Sequence, residues 1–501
     1  MPTLQKLKEK WFLDVSLEGQ FPPQTRHPGT QIQPYTDGNR VEPIIDGAPL
    51  MAEFHQRAEA IINAPDPSQY ELWLAQWKLT PVQLLGQTSS AKDAETQMLD
   101  VAKSGAKVYF LGSGHAGQIQ PAITLAKKLI ANGGYGTCDR RFPLYGSQHQ
   151  KFYIFREPDN QWTALLGSAD LNYSRWDTPG HAADNPDRSP YSEGPSHDAS
   201  VQVQGPAVHD IALSFAERWN DMPDRTFPKI STPISTTFLN TPIPPCGPHS
   251  IQVLRTYGIR QNRAYSWSPH GEFTIWAAYL NAIKKAAQYI YIEDQYFYPF
   301  YEPPAFETPK GKLRDSDIVY QLGQALKRGV DVIVLVPSRK GNKNPTVSNQ
   351  LHARGKAAAY LRHISETHSG AGRFLICHLA AGDVDPVIHS KLMLVDDEFT
   401  LLGSANVCQR SMANDTEIHL GIVDADNQFT RNLRLALWQE HLDLTAPDSI
   451  IDPGTGFEIL QTSAAQETTR LRLWHIESNH EPRLHELAMR FIDPYQGPAR
   501  N

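Results

Sequence analysis

Apolar and polar positions fall into the same order twice along this chain. In the first half an amphipathic stretch from Leu50 to Ala64 predicts a helix, and Glu71-Leu72-Trp73-Leu74-Ala75-Gln76-Trp77 a strand. A second helix is expected near Ala94 to Lys103, followed by Ser104-Gly105-Ala106-Lys107 and the apolar run Val108-Tyr109-Phe110-Leu111. The second half gives a helix from Phe273 to Ala287, a strand from Tyr289 to Gln295, a helix from Asp317 to Lys327, and then Arg328-Gly329 before the strand Val330 to Leu335. Glycine at a helix end just before a buried strand marks an αβ junction. Each half continues with two apolar strands around a polar turn: Phe152 to Phe155 and Thr163 to Leu166, then Leu392 to Val395 and Phe399 to Leu402. Both hairpins end in Gly-Ser, at Gly167-Ser168 and Gly403-Ser404. An acidic residue opens the next strand in each half, Asp198 before Val201 and Glu417 before Ile422, and each strand runs into a helix ending near Trp219 or Trp438.

A period of half the chain implies a tandem duplication of an α/β unit. The expected organisation is an N-terminal extension over 1–39, a first unit over 40–226, a Pro-rich linker over 227–249, a second unit over 250–446 and a tail over 447–501. Within the tail, Leu484 to Phe491 reads as a helix packed on one unit, with a latch or lid as the sharper alternative.

Immediately ahead of each hairpin stands the same short signature, His149-Gln150-Lys151 and His389-Ser390-Lys391. Histidine and lysine two positions apart on a strand project from one face, so each pair is able to address one ligand. A single H-x-K is uninformative, whereas two copies with matching flanks point to one site with two histidines.

Composition narrows the picture modestly. With 40% apolar and 20% charged residues the chain is that of an ordinary globular protein, and its net charge of −7 is unlike the basic surface of a nucleic-acid binder. No apolar run reaches the roughly 18 residues a membrane span requires. The first ten residues lack the apolar core of a signal peptide, so a cytoplasmic or peripheral membrane location is expected, with export by a signal-independent route left open. The four cysteines, Cys138, Cys246, Cys377 and Cys408, are too few and scattered for a disulfide framework or a zinc site.

Two histidines and two lysines suit phosphodiester chemistry. The shielded phosphorus needs a nucleophile, a proton donor for the departing alcohol, and cations around its oxygens. One imidazole serves as nucleophile and the other as acid if their environments differ. Lys151 and Lys391 would hold phosphate oxygens, with Asn406 and then Asn172, or Ser168 and Ser404, adding hydrogen bonds. This set needs no metal and no other cofactor.

These residues and their flanks resemble the phospholipase D superfamily, whose signature is H-x-K-x4-D followed by G-S/G and a polar residue. Gly167-Ser168-Ala169-Asp170-Leu171, Arg175-Trp176-Asp177-Thr178, His197-Asp198, Ile292-Glu293-Asp294-Gln295-Tyr296-Phe297 and Gly403 to Met412 resemble the eukaryotic-type enzymes. The resemblance covers about residues 40 to 445. It implies two α/β/α repeats, each with a mixed central sheet, packed as a pseudo-two-fold pair. It assigns His149 as the nucleophile that forms a phosphohistidine and His389 as the acid, then the base. Asp198 is expected to orient His149, and Glu417 to orient His389, from their matching repeat positions. Ser168, Asp170, Asn172, Ser404 and Gln295 are expected to contact substrate, and Asp396 to be a structural turn residue. The implied reaction is hydrolysis of the phosphate-headgroup ester of a phospholipid at a membrane surface, with water or small alcohols as acceptors, by a monomer. Alternatives are a nuclease, a cardiolipin synthase-like transferase, or an inactive phosphate-binding protein.

The first motif departs from the pattern by carrying Arg156 where the family aspartate is expected, so an altered hairpin is anticipated there. No calcium-dependent lipid-binding module is expected ahead of residue 40. Gly112-Ser113-Gly114-His115-Ala116-Gly117 fits the dinucleotide fingerprint, but Pro121 is expected to interrupt the helix that should follow. His363, His368 and His378 show no ligand spacing. The aromatic run Tyr296 to Tyr301 reads equally as a headgroup pocket or as loop anchors.

Overall fold

The computed structural model of the protein describes residues 3–18, 22–23, 25–26, 29–115, 117–142, 146–222, 227–230, 232–259, 265–299, 315–338, 347–475 and 492–493. Phe300, Tyr301 and the stretch Leu484 to Phe491 lie outside the described residues.

Eighteen strands are described. In the first half they are β1 (Thr36–Ile45), β2 (Glu71–Gln76), β3 (Lys107–Ser113), β4 (Tyr135–Asp139), β5 (Phe152–Glu157), β6 (Gln161–Gly167), β7 (Ser196–His197) and β8 (Ala199–Gln204). In the second they are β9 (His249–Tyr257), β10 (Glu272–Phe273), β11 (Tyr289–Asp294), β12 (Asp331–Leu335), β13 (Phe374–Leu379), β14 (Val387–Ile388), β15 (Lys391–Val395), β16 (Phe399–Gly403), β17 (Glu417–Asp424) and β18 (Leu471–Leu473).

One mixed sheet of 16 strands runs through both halves. From its middle the order outward is β1-β8-β6-β5-β2-β3-β4 on one side and β9-β17-β16-β15-β11-β12-β13 on the other, with β18 added at the far edge. The two arms have matching order, which is the expected pseudo-two-fold pair, and antiparallel pairing of β1 with β9 fuses them. Neither β1 nor β9 stands out in the apolar pattern; β1, TDGNRVEPII, is broken by Asp37, Arg40, Glu42 and Pro43.

Alternation along the strands builds the layers. Trp73 and Ala75 of β2, with Tyr289 and Tyr291 of β11, face a core shared by both halves and closed by helices Ala207–Asn220, Gln428–His441 and Pro453–Gln466. Leu72 and Leu74 face a first-half core under helices Gly47–Ile62, Ala94–Lys103 and Ile119–Ala131. Ile290 and Ile292 face its second-half counterpart, under helices Thr274–Lys285 and Ile318–Lys327. The N-terminal helix Leu4–Trp11 belongs to this last core, with Trp11 stacked on Phe399 at 5.4 Å.

A helix does follow the glycine-rich segment, contrary to expectation. Pro121 lies in the first turn of Ile119–Ala131, where a proline forfeits no intrahelical hydrogen bond. The first hairpin is altered as anticipated: β5 extends through Arg156, whose Nη1 donates to Glu71 Oε1 at 2.7 Å. At the matching place Asp396 accepts the backbone N–H groups of Ala287, Gln288 and Tyr289, fastening the start of β11. Of the aromatic run, Phe297 and Tyr298 are buried, and Tyr296 stacks on Tyr298 at 5.2 Å.

Candidate active site

Each histidine precedes its strand rather than lying on it, with Lys151 just ahead of β5 and Lys391 the first residue of β15. His149 follows a single parallel bridge between Gln148 and Thr416, and His389 follows β14, which pairs in parallel with β7. The two contacts are pseudo-symmetric copies, and both join a histidine segment of one half to a last-strand segment of the other. The carboxylate that emerges beside each histidine therefore comes from the opposite half.

His149 Nδ1 donates to Glu417, 2.9 Å from Oε1 and 3.0 Å from Oε2, and His389 Nδ1 donates to Asp198 Oδ1 at 2.7 Å. This reverses the expected pairing of Asp198 with His149 and of Glu417 with His389. Sequence spacing could not show it, because the true partners stand 268 and 191 residues apart.

The two pairs differ electrostatically. Ser168 Oγ donates to Asp198 Oδ1 at 2.7 Å, and Ser404 Oγ to Glu417 Oε2 at 2.6 Å. Both serines thus fix the orienting carboxylates, where substrate contact was expected. At equal offsets beyond these serines stand Arg175 and Ser411. Arg175 Nη1 lies 3.6 Å from Asp198 Oδ2, whereas Ser411 Oγ donates to Glu417 Oε1 at 2.7 Å. Burial opposes ionisation of Asp198, yet His389 and Arg175 hold it well below the usual carboxylate range. Among the described residues no arginine pairs with Glu417, and burial pushes it up to about 7 against the pull of Lys151 and the two serines. The unequal roles of Arg175 and Ser411 were missed by sequence reasoning, although their matching offsets were there to find.

Burial first, then the charge of Lys151, lowers His149 well below its ordinary value. Burial, Arg175 and Lys391 do the same to His389. Lys391 itself is brought to about 7 by burial and by Lys151. A phosphate anion between the two lysines would offset this repulsion and favour the charged form of Lys391.

Lys151 and Lys391 are fully buried, and each Nζ donates to the carbonyl of its own histidine, His149 or His389. Each also has a carboxylate at hand, in swapped positions. Asp170 Oδ2 lies 3.7 Å from Lys151 Nζ, and Asp170 accepts the N–H groups of Trp77 and Lys78. Gln76, at the end of β2, accepts from Leu171 N. In the second half the acid stands at the strand end, where Asp294 accepts from Val407, Tyr296 and Phe297, and the amide is Asn406. Asn406 is fully buried, and neither amide atom is hydrogen-bonded among the described residues. Gln295 Oε1 accepts from Lys391 Nζ at 3.3 Å, and Asn172 Oδ1 accepts from Ser174 N in a local turn. Trp77 packs its ring 6.2 Å from that of His149.

Comparison with known proteins returns relatives of the phospholipase D type. Residues 279–438 match a family model described as a cardiolipin synthase, phospholipase D-like domain. The chain is 26% identical over 379 residues to phospholipase D A of Dictyostelium discoideum, covering 60% of this chain and 27% of that protein. It is 25% identical over 411 residues to phospholipase D alpha 4 of Arabidopsis thaliana, covering 69% of this chain and 50% of that one. The chain thus spans from about a quarter to half the length of these relatives. In fold it is similar to phosphatidylserine synthase of Haemophilus influenzae, with a TM-score of 0.53 at 14% identity over 85% of this chain and 93% of that one. With both H-x-K segments converging through crossed carboxylates, and with these relatives, the chain belongs to the phospholipase D superfamily.

Proposed function

We propose that the protein is a phospholipase D, hydrolysing the phosphate-headgroup ester of glycerophospholipids to phosphatidic acid and a free headgroup. The observation that carries this is the pair of buried histidines, each held at Nδ1 by a carboxylate of the other half, with two buried lysines and Asn406 alongside.

An Nδ1–H held by Glu417 leaves the Nε2 lone pair of His149 for attack on phosphorus. As the phosphorus–nitrogen bond forms, the phosphorus–oxygen bond to the headgroup breaks, and His389, protonated at Nε2 when the phosphate anion is bound, gives that proton to the departing alkoxide. Lys151, Lys391 and Asn406 hold the non-bridging oxygens as charge builds there. In the second half-reaction His389 takes the proton of an incoming water, whose oxygen displaces His149. An alcohol in place of water gives transphosphatidylation.

Among the described residues no helix is long and apolar enough to cross a membrane. A phosphatidyl transferase is the second reading, favoured by the description of the matching family model.

The test is headgroup release from phosphatidylcholine and phosphatidylethanolamine vesicles, with ethanol as competing acceptor and His149→Ala as control. Release and phosphatidylethanol formation by the wild type, both lost in the variant, are expected. No release from either lipid would overturn the reading, and phosphatidyl transfer to an alcohol without hydrolysis would favour the transferase.

A further inference from the structure

Directly before Asp198 in the chain lies His197, the centre of a second buried group that the proposed chemistry leaves unused. Asp46, His181 and His197 come from the first half, and Glu440 from helix Gln428–His441 of the second. One nitrogen or oxygen from each lies within 4.8 Å of the others. The first three side chains are at most 1% exposed, and Glu440 is 9% exposed.

The spacing is that of a coordination shell. His197 Nδ1 stands 3.0 Å from Asp46 Oδ1 and 3.3 Å from Glu440 Oε1; His181 Nε2 stands 3.2 Å from Glu440 Oε1 and 3.9 Å from Asp46 Oδ2. Four ligands bound to zinc at about 2.0 to 2.2 Å are separated by about 3.3 to 3.6 Å along the edges of a tetrahedron. The four separations straddle that value, with Asp46 turning Oδ1 toward His197 and Oδ2 toward His181.

Two of these atoms lack a hydrogen bond. Asp46 Oδ2 and His197 Nδ1 have none among the described residues, so the 3.0 Å approach of His197 to Asp46 is close without being aligned. The opposite ring nitrogens are well held. His181 Nδ1 donates to Asp177 Oδ2 at 3.0 Å, and His197 Nε2 to Glu293 Oε2 at 3.1 Å. A carboxylate on the far side of the imidazole is the usual support of a metal-ligating histidine, because it fixes the tautomer and raises ligand basicity. Those carboxylates are themselves fixed, Asp177 by Arg188 and Glu293 by His441.

We propose that Asp46, His181, His197 and Glu440 bind a divalent cation of the zinc class, clipping the two halves together. Two carboxylates neutralise the ion, and two neutral imidazoles complete a tetrahedral nitrogen and oxygen set. The ion takes no part in phosphoryl transfer. It acts on position: the carbonyl of His197 accepts the N–H groups of His389 at 2.7 Å and Ser390 at 3.0 Å, and the next residue, Asp198, holds the His389 ring. The competing arrangement is the same cluster closed by protons alone.

The experiment uses the full chain, stripped with chelator, reloaded with Zn²⁺, desalted and analysed for metal. Retention of about one zinc per chain is expected, with a rise in the unfolding midpoint on reloading. Cobalt loading should give the ligand-field spectrum of a tetrahedral ion. Glu440→Gln, at the least buried ligand, should cut retained zinc to below about a tenth of an equivalent. His149→Ala should retain it, which excludes the His149, Asp415 and Glu417 group, while loss in Glu440→Gln excludes the His197, Glu293 and His441 group, to which Glu440 does not belong. Wild-type protein that keeps no zinc and shows no midpoint shift would overturn the proposal. Zinc kept by Glu440→Gln but lost from His149→Ala would also overturn it. If Glu440→Gln fails to fold, the wild-type cobalt spectrum decides, and a non-tetrahedral spectrum counts against the site.

Discussion

Replacing Glu417 by Gln keeps the size of the side chain and removes the charge on which His149 rests. Glu417 is fully buried and accepts from His149 Nδ1, Ser404 Oγ and Ser411 Oγ. The imidazole bond strengthens as His149 gains positive charge on becoming phosphorylated. A hydrogen bond to a charged group contributes ~1.5–3 kcal/mol. At ~1.4 kcal/mol per factor of ten, its loss lowers kcat/KM by about 10- to 150-fold.

The pH profile supplies the second reading. Burial raises Glu417 to about 7, so below that pH it is protonated and no longer stabilises a cationic imidazole. Wild-type kcat/KM should therefore climb through neutrality as Glu417 ionises, and Glu417→Gln should lack that rise. The assay is headgroup release from phosphatidylcholine vesicles between about pH 5 and about pH 9, on either side of the range in which Glu417 ionises. A variant within about threefold of wild type, or one with an unchanged acidic limb, would refute the argument that Glu417 serves the nucleophile.

Because the pairing is crossed, Asp198→Asn should weaken His389 instead. Its activity should fall by about 10- to 100-fold on a natural headgroup, and recover on a phosphodiester with a nitrophenol leaving group, which needs no acid; failure to recover would place Asp198 elsewhere in the mechanism. Trp11→Ala removes a buried ring stacked on Phe399 and a hydrogen bond to Glu398, so urea unfolding should show a loss of ~3–5 kcal/mol. Gly403→Ala would set a Cβ 2.2 Å from the Ile418 carbonyl oxygen. Backbone must shift to admit it, so the thermal midpoint should drop by an amount equivalent to ~1–3 kcal/mol, with activity falling as Ser404 moves off Glu417.

The sequence by itself determined the repeat, the two H-x-K segments, the hairpins ending in Gly-Ser and most of the strands and helices around them. Helix Ala94–Lys103 coincides with its expectation, because propensity, apolar spacing and the Asp93 cap all act within a few residues. Tertiary structure decided the rest. Strands β1 and β9 are central yet weakly patterned, since their place depends on what pairs beside them rather than on their own alternation. The partner of each histidine, the turning of Ser168 and Ser404 onto carboxylates, and the contrast between Arg175 and Ser411 follow from which segments meet across the pseudo-two-fold axis. Periodicity records which face of an element is buried, but not which atom of a distant segment lies opposite. Here the opposite atom is 268 residues away for His149 and 191 for His389, so the orienting carboxylates became legible only in the fold.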